Sequence, residues 1–292
     1  MKTFRDTYEL SNGMKIPCIG FGTYNAKGGD NLAIIKTAIE AGYRYFDTAS
    51  LYETERVLGQ AIKESQIPRE EFFIVSKAWI DERGYDEVKA AFARTLDRLQ
   101  MDYLDLYLIH WPRGAEGDTD WKEVDVQTWR AMEELCEEGK IKGLGLSNFL
   151  PHHIENILEN CRIRPVVDQL ELHPGYTQEA ATRYCQEHDI RVQAWSPLGR
   201  GKSILTEQPV LSEYARKYGK SIQQICLRFL LQKGIIPIVK ASAMERMKQN
   251  QEIFDFEISR EDMSILNNMP QNTWLGEHPD LAIPKKKSNF EQ

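Results

Sequence analysis

Short apolar runs alternate with longer amphipathic stretches along almost the whole chain. The apolar runs predict buried parallel strands, and the stretches between them have the length and period of crossover helices. The predicted strands are Ile19–Gly22, Tyr45–Asp47, Phe73–Lys77, Leu104–His110, Ile141–Ser147, Val166–Leu172, Arg191–Trp195 and Ile235–Val239. The predicted helices are Asp30–Ala41, Thr54–Lys63, Asp86–Leu99, Val126–Glu138, His152–Leu158, Gln178–His188, Val210–Gln232 and Ala243–Phe254.

This alternation predicts an α/β protein of the (β/α)₈ TIM-barrel class, because roughly eight strand–helix units follow one another without a linker. A doubly wound sheet is the alternative, but no G-x-G-x-x-G follows the first strand. Tyr8–Ile16 predicts an N-terminal β-hairpin with a type I′ turn at Asn12-Gly13, within residues 1–17, that closes the bottom of the barrel. Residues 268–292 predict a tail near the barrel mouth, and residues 1–292 form one predicted catalytic domain.

Composition changes this picture little. The 41% hydrophobic and 28% charged residues are typical of a folded, water-soluble protein, and the net charge of −7 argues against a nucleic-acid partner. The five cysteines are scattered and form no C-x-x-C pair, as expected for reduced thiols. Because the sequence shows neither a secretory h-region nor a long apolar span, we expect a cytoplasmic protein without membrane contact. We also expect a monomer or a weak homodimer.

Ionisable side chains stand at the ends of three consecutive predicted strands. Asp47 ends the second strand, Lys77 the third and His110 the fourth, and Tyr52 lies in the loop after Asp47. Any one of them alone is equally explained by a chain leaving the core for water. Together they place four reactive groups on the rim where catalytic residues of this fold gather.

These four groups suit the protonation of an oxyanion. An ammonium lowers the pKa of a neighbouring phenol, a carboxylate holds the ammonium, and an imidazole orients a substrate oxygen. The pattern contains no activated Ser or Cys nucleophile and no metal-ligand spacing. Carbonyl reduction also needs a hydride, which side chains cannot supply, so a nicotinamide cofactor is implied.

The sequence resembles the aldo-keto reductase family from about Gly20 to Asn250. The resemblance rests on Phe46-Asp47-Thr48-Ala49 with Tyr52, Glu55 and Gly59, on Ser76-Lys77, and on His110-Trp111-Pro112. It implies that Tyr52 is the general acid, that Lys77 lowers the pKa of Tyr52, that Asp47 pairs with Lys77, and that His110 positions the carbonyl.

The resemblance also implies an NADPH site, with NADH as the alternative cofactor. Ser147, Asn148 and Gln169 would hold the carboxamide and Trp195 would stack on the nicotinamide, although each is equally a helix cap or a packing residue. Family members often carry Asn where this chain has Asp168, and Ala241 and Gln249 also depart from the family pattern. The further cofactor candidates are Gly22, Thr23, Ser196, Leu198 and Gly199 along the cofactor, and Lys240, Ser242, Arg246 and Asn250 at its 2′-phosphate and adenine.

Tyr24, Trp79 and Trp111 follow strand ends on the same rim and are the candidate walls of a pocket for a small carbonyl compound, with Trp121 and Trp274 as further candidates. The leading hypothesis is a reductase that converts aldehydes and ketones to alcohols. One alternative is a cofactor-binding, redox-sensing subunit with little turnover. Another is a barrel hydrolase or isomerase with an unrelated site, since a fold alone does not fix function.

Overall fold

A computed structural model describes residues 1–24, 31–112, 119–272, 275–276 and 278–280. Its centre is a closed barrel of eight parallel strands. The barrel strands are β3 (Gly20–Gly22), β4 (Tyr45–Asp47), β5 (Phe73–Ala78), β6 (Leu104–Ile109), β7 (Ile141–Ser147), β8 (Val167–Glu171), β9 (Arg191–Trp195) and β10 (Ile236–Val239). Their order around the barrel is β10-β3-β4-β5-β6-β7-β8-β9. The TIM-barrel prediction is confirmed.

Helices connect successive strands and cover the outside of the barrel. Along the described residues they are α1 (Asn31–Glu40), α2 (Glu55–Ser65), α3 (Tyr85–Leu99), α4 (Trp121–Glu137), α5 (Pro151–Leu158), α6 (Glu179–Glu187), α7 (Ser203–Thr206), α8 (Pro209–Tyr218), α9 (Ile222–Gln232), α10 (Met244–Gln251) and α11 (Arg260–Asn267). Within this described part, no helix combines the length and the apolar character that crossing a bilayer demands.

The strand period of two sorts side chains between an inner and an outer core. Val75 points inward and packs with Leu106 and Leu108 of the next strand, while Ile74 belongs to the layer between strands and helices. Ser76 also points outward, where its hydroxyl donates to Glu55 of α2 at 2.7 Å. Lys77, one residue later, therefore faces the barrel interior.

The N-terminal hairpin pairs β1 (Thr7–Glu9) with β2 (Lys15–Pro17) in antiparallel register. Ile16 packs with Phe73, at the start of β5, so the hairpin closes the end of the barrel where the strands begin. The prediction of a type I′ turn is wrong. Of the loop residues only Gly13 has a positive φ, of 84°. The Leu10 backbone N–H donates to the carbonyl of Met14, so the loop between them has three residues. A three-residue loop needs one left-handed residue, which glycine supplies, whereas type I′ needs two.

Candidate active site

A buried ion pair lies at the carboxyl end of β4 and β5. Lys77 Nζ donates to Asp47 Oδ1 at 2.6 Å and to the carbonyl of Thr48 at 3.0 Å, and the lysine side chain has no exposed surface. The register pairs Asp47 with Val75, so Lys77 stands two residues further along on the same inward face. A lysine buried this deeply keeps its charge only with such a partner.

The phenol and the imidazole meet above this pair. Tyr52 ends a 3-10 turn, Ser50–Tyr52, that follows β4, and its hydroxyl lies 3.4 Å from Nε2 of His110, which directly follows β6. Lys77 Nζ lies 5.1 Å from the centre of the Tyr52 ring. The structure thus brings together the four residues that the sequence singles out for proton transfer.

Burial and neighbouring charge set the pKa of Tyr52 and of Lys77. Burial raises the pKa of Tyr52 well above its usual value of 10, and the negative charge of Asp47 raises it further. The pKa of Lys77 is lowered, chiefly by burial, although Asp47 opposes that shift. These shifts describe the protonated phenol, and the stabilisation of its phenolate by Lys77 stays a prediction. At neutral pH Tyr52 therefore holds its proton.

Glu82 fixes the turn that carries the phenol, a contact that the sequence analysis missed. Its carboxylate accepts hydrogen bonds from the Ser50 hydroxyl and, at 2.9 Å, from the backbone N–H of Trp79. It thereby joins the Ser50–Tyr52 turn to the end of β5, where the Trp79 ring lies edge-on to His110 at 4.8 Å. The only sequence signal was an acid three residues beyond a strand-end tryptophan.

The residues proposed to bind the nicotinamide carboxamide form one hydrogen-bonded group next to the Asp47–Lys77 ion pair. Gln169 Nε2 donates to Asp47 Oδ2 at 2.8 Å, and the Ser147 hydroxyl donates to the backbone carbonyl of Gln169 at 3.0 Å. Asn148 donates to the His110 carbonyl at 3.0 Å and accepts from Trp195 Nε1 at 2.8 Å. These amide and hydroxyl groups line the rim beside the tetrad, as we call Asp47, Tyr52, Lys77 and His110 together. Their chemistry fits a carboxamide.

The loop after β9 has an unusual backbone. Ser196, Gly199, Arg200 and Gly201 have φ values of 50°, 60°, 54° and 68°, while Leu198 between them is right-handed. Concave turns of this kind direct backbone N–H groups toward an anion. The guanidinium of Arg200, which the sequence analysis did not single out, lies 5.3 Å from the centre of the Trp195 ring. Both features fit a pyrophosphate near Trp195.

Two cations follow the last strand. The Lys240 ammonium donates to the carbonyl of Tyr24, and burial lowers the pKa of Lys240. Arg246 on α10 is exposed and donates to the Ser242 hydroxyl at 2.9 Å, while Asn250, one turn further, is buried. Two cationic side chains and the Ser242 hydroxyl thus lie near the beginning of α10, and this combination fits a phosphate group.

The first barrel strand lies beside this site. Gly22 pairs with Asp47 in the sheet, and Thr23 donates its backbone N–H to the Asp47 carbonyl at 2.9 Å. The Thr23 hydroxyl also lies 2.8 Å from the hydroxyl of Thr54. Gly22 and Thr23 therefore stand next to the acid of the tetrad as well as next to β10.

The aromatic residues proposed as pocket walls differ in exposure and in the residues they contact. Tyr24 is 55% exposed and its ring lies 4.9 Å from that of Tyr52, which leaves it free to contact a ligand. Trp79 and Trp111 are buried in one cluster with Ile80. Trp121 starts α4 and its ring packs on the ring of His153 at 4.9 Å. Trp274 lies outside the described residues, as does most of the tail.

The described tail residues reach the same rim. Leu275 and Gly276 donate their backbone N–H groups to Glu171 at the end of β8, which places them at the mouth as expected. Glu171, like Glu82 and Arg200, is a residue that the sequence analysis missed. Its position at a strand end was the available signal.

Comparison with known proteins agrees with this geometry. The model of the aldo/keto reductase family matches residues 18–270. The chain is 43% identical to glyoxal reductase of Bacillus subtilis (strain 168) over 96% of this chain and 99% of that protein.

Solved structures show the same relationship. An aldo-keto reductase from a Medee basin deep-sea metagenome library superposes with a TM-score of 0.86 at 38% identity, covering 93% of this chain and 98% of the other. The Bombyx mori aldo-keto reductase, solved in complex with NADP, superposes with a TM-score of 0.82 at 36% identity, covering 91% and 93%. This chain is therefore a member of the aldo/keto reductase family.

Proposed function

We propose that this protein reduces aldehydes and ketones to alcohols with NADPH as the reductant and Tyr52 as the general acid. The observation that carries the proposal is the Tyr52 hydroxyl, 3.4 Å from His110 Nε2 and above the buried Asp47–Lys77 pair. Phenol and imidazole at this separation can both reach one carbonyl oxygen. The similarity to glyoxal reductase makes a small dicarbonyl the first compound to test.

Each side chain has a separate task in this mechanism. Because its pKa is raised, Tyr52 is protonated at neutral pH and can deliver its proton as the substrate oxygen becomes negative. His110 Nε2 orients that oxygen beside the phenol. Lys77 stabilises the phenolate that forms when the proton leaves, and Asp47 holds the ammonium in place. Proton donation and charge stabilisation thus come from different residues.

The residues at the rim fit the reductant. NADPH, when bound, supplies the hydride to the carbonyl carbon. Ser147, Asn148 and Gln169 would hold its carboxamide beside Trp195, and the left-handed loop after β9 would receive the pyrophosphate. Lys240 and Arg246 would pair with the 2′-phosphate, which favours NADPH over NADH. Gly22, Thr23, Ser196, Leu198, Gly199, Ser242 and Asn250 complete the proposed site.

Tyr52→Phe tests the acid directly. The variant keeps the ring but loses the transferable proton, so the turnover of glyoxal should fall by about 10²–10⁴-fold. NADPH oxidation at 340 nm measures turnover, and quenching of tryptophan fluorescence measures the Kd for NADPH, which should not change. Tyr103→Phe, before β6 at the opposite end of the barrel, is the matched control and should keep wild-type activity.

Near-wild-type turnover in Tyr52→Phe would refute the acid assignment. A wild-type protein that binds NADPH but turns over none of a broad panel of aldehydes and ketones would instead support the redox-sensing subunit.

We also propose a cytoplasmic location and a monomer or weak homodimer. Light scattering across a concentration series tests the oligomeric state.

A further inference from the structure

The end of the chain is fastened to the barrel mouth by a buried carboxylate. Glu171 Oε1 accepts the backbone N–H of Leu275, and Oε2 accepts that of Gly276, both at 2.7 Å. Glu171 is only 3% exposed. His173 Nε2 lies 3.3 Å from Oε1. A buried carboxylate that receives two amide N–H groups forms charge-assisted bonds, which fix its partner more firmly than neutral ones.

This contact places the backbone of Gly276 against the ring of Trp195. A Cβ built on Gly276 would lie 2.4 Å from Cη2 of Trp195 and 2.9 Å from Oε2 of Glu171. Distances this short leave no room for a side chain, so glycine is required here. Glu171 and Trp195 are also cross-strand neighbours on β8 and β9.

Two further contacts flank this anchor. Gln271 Oε1 accepts from the Thr177 backbone N–H at 2.6 Å and from its hydroxyl at 2.9 Å. Asp280 Oδ1 lies 2.9 Å from Nε2 of His152 and 3.2 Å from Nε2 of His153. Gly276 therefore lies, in sequence, between two other residues whose side chains contact the barrel, Gln271 and Asp280.

The group His152, His153 and Asp280 also has the spacing of a metal site, but its hydrogen bonds favour another role. The backbone N–H of Leu150 donates to Nδ1 of His153 at 3.0 Å. A neutral ring that accepts at Nδ1 carries its proton on Nε2, the atom that faces Asp280, and a protonated nitrogen is not a metal ligand. The group is therefore better explained by the hydrogen bond between His152 and Asp280, next to a His153 ring that Leu150 fixes.

We propose that Glu171 is a positioning residue for the carbonyl pocket, acting through Leu275 and Gly276. It holds the backbone of Gly276 against Trp195, so that one wall of the pocket is already formed when the carbonyl compound arrives. This inference rests on the proposed function. A preformed wall binds ground state and transition state alike, so its loss raises KM and leaves kcat nearly unchanged.

Glu171→Gln tests the anchor. The amide retains one acceptor oxygen and points a donor at the second backbone N–H, so one hydrogen bond is lost and the other is no longer charge-assisted. We expect KM for glyoxal to rise about tenfold, with kcat changed by less than about threefold. Deuterium exchange of the peptide that contains Leu275 and Gly276 should accelerate. Glu179→Gln, an exposed glutamate on α6, is the matched control and should leave KM and exchange unchanged.

Gly276→Ala gives an independent approach that keeps Glu171 intact. Its methyl group would push the backbone away from Trp195, so KM should rise as in Glu171→Gln. Because both changes disturb the same contact, the double variant should resemble either single variant rather than multiply their effects. Multiplied effects would show that Glu171 acts elsewhere, and would overturn the inference.

The remaining outcomes separate the two proposals. Unchanged exchange in Glu171→Gln overturns the anchor, and faster exchange with an unchanged KM overturns its role in the pocket, while the reductase function stands in both cases. If the wild-type protein reduces no carbonyl compound, the proposed function fails. Exchange that depends on Glu171 would then still support the anchor.

Discussion

At the scale of single residues, Asp168 is a buried acid with no cationic partner among the residues that the structure describes. It is fully buried between β8 and α6, where Oδ2 contacts the Cys185 thiol at 3.7 Å. Burial raises the pKa of Asp168 from 3.8 to about 8, against the lowering effect of nearby backbone and Cys185 hydrogen bonds. At neutral pH the side chain is therefore mostly protonated, and in that form it resembles the Asn that is frequent at this position in the family.

This shift predicts how stability depends on pH. The folded state keeps a proton that the unfolded chain releases above pH 3.8, so rising pH favours unfolding. The contribution is complete below pH 3.8 and is lost as pH rises to about 8, with a limiting slope of ~1.4 kcal/mol per pH unit. Asp168→Asn should remove this slope and be more stable than the wild type at pH 8.

Urea unfolding at several pH values between 5 and 8 measures this difference in the free energy of unfolding. Asp189→Asn, an exposed aspartate, is the control and should keep the wild-type slope. Parallel pH profiles for Asp168→Asn and the wild type would show that Asp168 is already ionised in the folded protein.

Single residues also show where sequence reasoning stops. Asp47, Lys77 and His110 could be chosen because strand ends are visible in the hydrophobic pattern, and the structure brings them together with Tyr52. The role of Glu82 depends on the path of a loop, which no periodicity reveals. The raised pKa of Tyr52 depends on desolvation and on the nearby charge of Asp47, and both need coordinates.

At the scale of elements, the strands were predicted to within about a residue or two at each end, because buried runs in a parallel barrel have sharp polar borders. The prediction of a single helical region over Val210–Gln232 was wrong, because the structure has two helices there, α8 and α9. The chain breaks at Gly219, with φ of 63°, and restarts with Ser221, whose hydroxyl accepts the N–H of Gln224. Helix α11 was not predicted.

The contact between α2 and α3 depends on one glycine. A Cβ built on Gly59 would lie 2.2 Å from the backbone carbonyl oxygen of Leu99 at the end of α3. Backbone cannot move aside as a side chain can, so Gly59→Ala should lower the free energy of unfolding by about 1–3 kcal/mol despite the better helix propensity of alanine. Gln60→Ala, on the exposed side of the same helix, should change it by less than about 0.5 kcal/mol.

Thermal or urea denaturation of both variants measures these values. An equal or higher stability of Gly59→Ala would mean that α2 can shift away from α3 at little cost.

At the scale of the whole molecule, barrel closure implies cooperative unfolding. Each strand is hydrogen-bonded on both sides, β10 pairs with β3, and one outer core joins the helices to the strands. We therefore predict that residues 1–292 unfold as one domain. Tryptophan fluorescence and far-UV circular dichroism should give the same urea midpoint. Two separate midpoints would show that part of the chain is an independent unit.

The alternation of side chains along β5 constrains how related chains can change. Lys77 faces Asp47 inside the barrel, while Ser76 faces Glu55 outside it. Inserting or deleting one residue within this strand would exchange the two destinations and put the amine among the helices, whereas a change of two residues would preserve them. Evolution is therefore free to resize the connecting loops of this barrel, but each strand that carries a reactive group can change length only in even steps.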